Sequence, residues 1–71
     1  MPTPRPLSVV KIANPNSERA LLFQIEDRDR FIYFGEIPNG EGRCFVFGLL
    51  DAKRIAWMYP NDFVEVDPVD F

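Results

Sequence analysis

The chain has no histidine, one cysteine, four glycines and only three side-chain hydroxyls outside tyrosine, and each shortage removes a class of chemistry. Without histidine it lacks the ordinary general base near neutral pH and the commonest metal ligand. One cysteine forms no internal disulfide, and with no histidine beside it the usual structural zinc sites are excluded. The hydroxyls Thr3, Ser8 and Ser17 lie near the terminus or in a turn with no partner base in evidence, so nucleophilic catalysis has no visible machinery. The glycines form no phosphate cradle, because Gly40-Glu41-Gly42 precedes a strand and not a helix. No apolar run approaches the roughly 20 residues of a membrane-spanning helix, and no signal peptide is evident. The expected protein is not an enzyme, uses no metal or cofactor, and works in a reducing compartment, the cytoplasm.

What is present is the composition of a folded chain. Of 71 residues, 46% are hydrophobic, including seven phenylalanines, two tyrosines and one tryptophan. That length makes one domain, 1–71, burying about 60% of its unfolded surface. The net charge of −3 is unevenly placed. All eight Lys and Arg precede residue 59, whereas the last 13 residues hold Asp62, Glu65, Asp67 and Asp70 and no base. An acidic end, with residues 67–71 as a tail, serves solubility and guards an edge strand.

The stretch from Phe31 to Phe47 reads as a hairpin. Pro38 and Asn39 suit the centre of a type I turn and Gly40 a left-handed bulge, giving a three-residue loop. That loop pairs Tyr33 with Phe45, Ile32 with Val46 and Phe31 with Phe47. A preceding strand over Ala20–Glu26, turned at Asp27-Arg28-Asp29, puts Leu21, Phe23, Ile25, Phe31, Tyr33, Phe45 and Phe47 on one core face. The other face carries Ala20, Leu22, Gln24, Ile32, Phe34, Glu36, Cys44 and Val46, a mixture of apolar and polar residues. A one-residue slip in either loop would exchange the faces.

Upstream, residues 1–6 alternate proline with other residues and read as an extended, unpaired arm. Leu7 to Ala13 reads as a strand with an irregularity at Val9-Val10, and Asn14-Pro15-Asn16-Ser17 as a turn. Downstream, either Asp51-Ala52-Lys53 is a turn and Arg54–Tyr59 a strand with Ile55 and Trp57 on one side, the favoured reading, or Ala52–Met58 is a short helix capped by Asp51.

The segment Tyr59 to Asp67, YPNDFVEVD, resembles the closing segment of a Src-homology-3 domain: a proline-led 3-10 turn followed by a short aromatic-Val-acid strand. The acidic, aromatic-rich loop and paired tryptophans of that family are missing, so the resemblance implies a barrel-like ending and no preference for proline-rich ligands. The expected architecture is all-β: five or six antiparallel strands in a meander, rolled into an SH3-like barrel with a short 3-10 turn near the C-terminus.

Three smaller features read as structural. Asp27 and Asp29 are neutralised by Arg28 and Arg30 and form a solvated turn in place of a metal site. Cys44 is a small buried hydrophobe. Eight bases scattered among acids give little counterion release, which disfavours nucleic acid. The leading expectation is a regulatory or assembly subunit that binds a larger protein through Leu22, Ile32, Phe34 and Val46; self-association as a homodimer fits the same pattern. The alternatives are a mobile-element inhibitor whose Asp62, Glu65, Asp67 and Asp70 imitate phosphates at a nucleic-acid site, and a single-stranded nucleic-acid binder using strand aromatics.

Overall fold

A computed structural model describes residues 4–67. In chain order it contains β1 (Val9–Ile12), α1 (Glu18–Leu22), β2 (Phe31–Glu36), β3 (Cys44–Gly48), β4 (Arg54–Met58), a 3-10 turn (Pro60–Asp62) and β5 (Phe63–Glu65). The strands form one antiparallel sheet in the order β4-β3-β2-β1-β5. It is mostly β as expected, with five strands; β4 and β5 are edges, so the sheet is not closed into a barrel.

The expected strand at Ala20–Glu26 is instead a one-turn helix and its exit. Ser17 has extended backbone and its hydroxyl accepts from the Ala20 N–H at 3.2 Å, an N-cap, with Glu18 favourably placed in the first turn. The helix ends where Gln24 takes φ +57°: its N–H donates to the Leu21 carbonyl and the Ile25 N–H to the Ala20 carbonyl. That is a Schellman closure, and it brings Ile25 and Ala20 into the core together. Leu21, expected in the core, is exposed, and Phe23 is half-buried.

The hairpin loop is longer than three residues. Ile37 donates to the Arg43 carbonyl, so Pro38–Gly42 is the loop. Asn39 at φ +58° follows Pro38 in a type II arrangement, and Glu41 and Gly42 both have positive φ in the second turn. Gly40, the residue expected in the left-handed region, is needed for space: a Cβ there would stand 2.8 Å from Ile37 Cβ.

The longer loop shifts the register. Phe31 faces Gly48, Ile32 faces Phe47 and Tyr33 faces Val46, one residue from the expected pairing. In β3 the residues turned inward are therefore Cys44, Val46 and Gly48, all buried, while Phe45 and Phe47 turn outward and are half-buried. β2 keeps the expected sense, with Phe31 and Tyr33 inside.

The core joins Val10 and Ile12 of β1, Phe31 and Tyr33 of β2, Cys44 and Val46 of β3, Ile55 and Met58 of β4 and Phe63 of β5 with Ala20 and Ile25. Phe31 and Phe63 pack edge to face at 5.8 Å. Alternation in β1 is regular, without a break at Val9-Val10; the irregular residue is Leu7, at φ +64°. The arm is not unpaired over residues 4–6, because Pro4 is buried and the Arg5 N–H donates to Glu65 Oε1 at 2.6 Å. Residues 1–3 and 68–71, including Asp70 of the acidic tail, lie outside the described residues.

Candidate binding face

The inner side of the sheet is covered by α1 and the segment that follows it. Among the described residues no helix or strand packs over the outer side, whose composition follows from the register. Arg54, Phe47, Ile32 and Val9 face one another in a row across β4, β3, β2 and β1. Phe45 lies two residues from Phe47, roughly 6.6 Å along β3. Beside it the pairing skips a residue on both flanks. On β2, Tyr33 faces Val46 but Gly35 faces Phe45, leaving Phe34 as the extra residue. On β4, Ile55 faces Val46 but Met58 faces Cys44, so Ala56 and Trp57 share the place opposite Phe45.

These two bulges decide which rings are displayed. The first lets Phe34 lie against Phe45 on the outer side, ring centres 5.9 Å apart and 61° inclined, with Phe34 50% exposed. Gly35 absorbs the bend at φ +107°. The second turns Met58 into the core and leaves Trp57 outside at 61% exposure. Ile55 and Trp57 therefore point to opposite sides, against the expectation that they share one.

Cations accompany the rings. The Arg43 guanidinium sits 4.5 Å above the Trp57 ring and that of Arg54 lies 5.9 Å from Phe47. Arg43 is held by a bond from Nε to the Gly40 carbonyl at 2.7 Å. Lys11 is a third outward cation, paired at 3.6 Å with Asp27. Among the described residues, Arg43 and Arg54 have no carboxylate within salt-bridge distance. No outward strand position carries an acid: Val9, Lys11, Ile32, Phe34, Phe45, Phe47, Arg54, Trp57 and Val64 occupy them.

Of the residues expected to meet a partner, the structure brings Ile32, half-buried, and Phe34 together on this face. Val46 is fully buried between β2 and β4, because the register places it inward. Leu22 is 71% exposed but on α1, away from the sheet face. Phe45, Phe47 and Trp57 are the members that sequence reasoning assigned elsewhere. An isolated glycine inside a strand, Gly35, was the available sign of a bulge.

Several other polar groups are engaged locally. The Cys44 thiol is pushed up to about 12, first by burial, so it behaves as a small core hydrophobe. Ser8 Oγ donates to the Arg5 carbonyl, and Ser17 caps α1. Asp29 accepts from the Glu26 N–H at 2.9 Å, and Asp27 pairs with Lys11. Among the described residues no three His, Cys, Asp or Glu gather to hold a metal ion, and no helix is long and apolar enough to cross a membrane. An open groove of about 590 Å³ lies beside α1, lined by Pro15, Leu21, Gln24 and Ile25 among others, with Glu26 of its lining tied to Arg28. The chain matches no family model, no curated protein and no solved structure.

Proposed function

We propose that this protein is a non-enzymatic interaction module, a regulatory or assembly subunit that docks a larger partner on the outer face of its sheet. One observation carries the reading. Phe34 and Trp57 are half or more exposed on the side of the sheet opposite the core, within a surface whose outward strand positions bear two cations, Lys11 and Arg54, and no acid. Large exposed rings grouped on one face of so small a protein mark an interaction site. The strand order, with β1 between β2 and β5, and the proline-led 3-10 turn before β5 support an SH3-like rolled sheet as the scaffold. A buried, unpaired Cys44 fits work in the reducing cytoplasm.

The phosphate-mimicking alternative loses support, because Asp62 is paired with Arg19 and Glu65 with Arg5. Substitution of Phe34 by Glu tests the docking role. The variant should fold, with Tm lowered by no more than about 5 °C, yet lose whatever immobilised parent protein retains from the native cell extract. Retention unchanged by the substitution, or outright unfolding of the variant, would reject it.

A further inference from the structure

We infer that the occupant of the outer face is a single-stranded nucleic acid, RNA or DNA, whose bases stack on Phe45, Phe47 and Trp57 and whose phosphates meet Arg43, Arg54 and Lys11. This rests on the docking role proposed above. The chain as a whole is acidic, and in sequence its bases lie scattered among acids. Folding separates them. The outward strand positions receive Lys11 and Arg54 and no carboxylate, and Arg43 joins them from the turn before β3 through its contact with Trp57, while acids of the C-terminal segment are turned aside, Asp62 to Arg19 and Glu65 to Arg5.

Charge decides against a second copy of the chain. Two such faces brought together about a two-fold axis would set Arg43 and Arg54 against their own equivalents with no acid between them. A polyanion has the complementary sign. The arrangement narrows the choice further, because two of the outward rings each carry a cation: Arg43 over the exposed Trp57 and Arg54 beside the half-buried Phe47. A nucleotide repeats the same combination, one flat base and one phosphate. Phe45 and Phe47, on alternate positions of one strand, are spaced for successive bases of an extended strand. Flat rings on the open face of an antiparallel sheet are a general means of holding unstacked bases without reading their sequence.

Three cations set the strength. With a counterion slope of about −0.7 per phosphate neutralised, the logarithm of affinity should fall with that of salt with a slope near −2. Binding should therefore be weak and strongest at low salt, with dissociation constants on the order of 1–100 μM.

Trp57 is the one tryptophan of the chain, so its fluorescence reports on the site directly. Labelled oligothymidylate, oligouridylate and oligoadenylate of about twelve nucleotides should each raise anisotropy and quench Trp57, the RNA and DNA arms showing which sugar is preferred. Trp57→Ala, an exposed position outside the core, should weaken binding on the order of tenfold. Arg54→Gln should weaken it and reduce the salt slope by about 0.7. No anisotropy change up to roughly 100 μM at low salt, binding indifferent to Trp57→Ala, or equal affinity for polyglutamate would overturn the inference. If the oligonucleotides fail while Phe34→Glu still abolishes capture from extract, the docking role stands and its occupant is a protein.

Discussion

Arg19 and Asp62, 43 positions apart, meet in a two-pronged ion pair: Nε donates to Oδ2 at 2.8 Å and Nη2 to Oδ1 at 2.9 Å. The same carboxylate accepts from the Tyr59 N–H at 2.8 Å, closing the start of the 3-10 turn, and the Asp62 carbonyl accepts from Ala13 at the end of β1. The Arg19 guanidinium also lies 5.0 Å from the Tyr59 ring. Asp62 thus ties together the helix, the first strand and the entry to the last. Its hydrogen bond and charge also raise the Arg19 pKa above the ordinary value.

Removing that carboxylate should cost more than a surface pair does. The Asp62 side chain is 11% exposed, so Asp62→Ala leaves the Tyr59 N–H and a guanidinium without partners at about 2 kcal/mol. In a chain this short that lowers Tm by on the order of 10 °C. Arg19→Lys, which keeps charge and loses the fork, should cost less. Thermal melts read both, and an unchanged Tm for Asp62→Ala would mean the pair is solvated.

Gly35 gives a second test, of backbone and not of contact. At φ +107° it lies where residues with a side chain are strained, yet a Cβ there would meet nothing within 4 Å. Gly35→Ala should therefore destabilise by roughly 1–3 kcal/mol through conformation alone. Urea unfolding measures this, with no change in slope expected because the buried surface is the same. A neutral result would mean that the bulge at Phe34 relaxes freely.

The attachment of the N-terminal segment has a pH signature. Glu65 is held below the ordinary glutamate value of 4.5, first by the Arg5 backbone N–H and then by the Arg5 side chain. A carboxylate depressed in the folded state adds stability that is fully present above the unfolded value and disappears as pH falls through the folded one. Glu65→Gln should be less stable than the parent at neutral pH, the difference closing below about 4.5 as acid protonates the parent's Glu65. Paired urea titrations across that range show it, and a difference constant with pH would exclude the linkage.

Cys44 carries the opposite sign. Burial raises its thiol from 9.0 to about 12, so the stability gained by keeping it neutral is present below the unfolded value and lost as pH rises towards the folded one. Native protein at pH 8 should resist thiol reagents, with labelling limited by opening of the fold and accelerating in urea. Labelling as fast as a free peptide thiol would place Cys44 at the surface.

Much of the architecture was legible in the residues. Strands at 31–36, 44–48 and 54–58 follow from alternation and turn chemistry, the turn at Pro60 and the strand opening at Phe63 follow from the resemblance of Tyr59–Asp67 to a Src-homology-3 closing segment, and Ile25, Phe31 and Tyr33 are core as read. The helix was hidden because Leu21, Phe23 and Ile25 alternate like a strand, while Ser17 was absorbed into a turn signal when it was also a cap. Its exit depends on Gln24 taking a left-handed φ that glycine usually marks. The outer face was hidden for a different reason. Bulky Phe45 and Phe47 look more like core than Cys44 and Val46, and only loop length and two bulges, set by tertiary packing, reverse that order.

That reversal is open to direct measurement. Val46 is fully buried and Phe34 is half exposed, although hydrophobic bulk ranks them the other way. Val46→Ala should cost about 2 kcal/mol, from lost transfer energy and the cavity left between β2 and β4. Phe34→Ala should cost about 1 kcal/mol or less, the edge contact with Phe45 being its main loss. Charge sharpens the contrast, since Val46→Asp buries an unpaired carboxylate and should unfold the chain, whereas Phe34→Asp sets its carboxylate in water. Circular dichroism and denaturant titration of these four variants decide the register, because the pairing read from a three-residue loop reverses the Val46 half of the result. Were Val46→Asp to fold normally, β3 would present Val46 and Cys44 to solvent, and the face of rings and guanidinium groups would not exist.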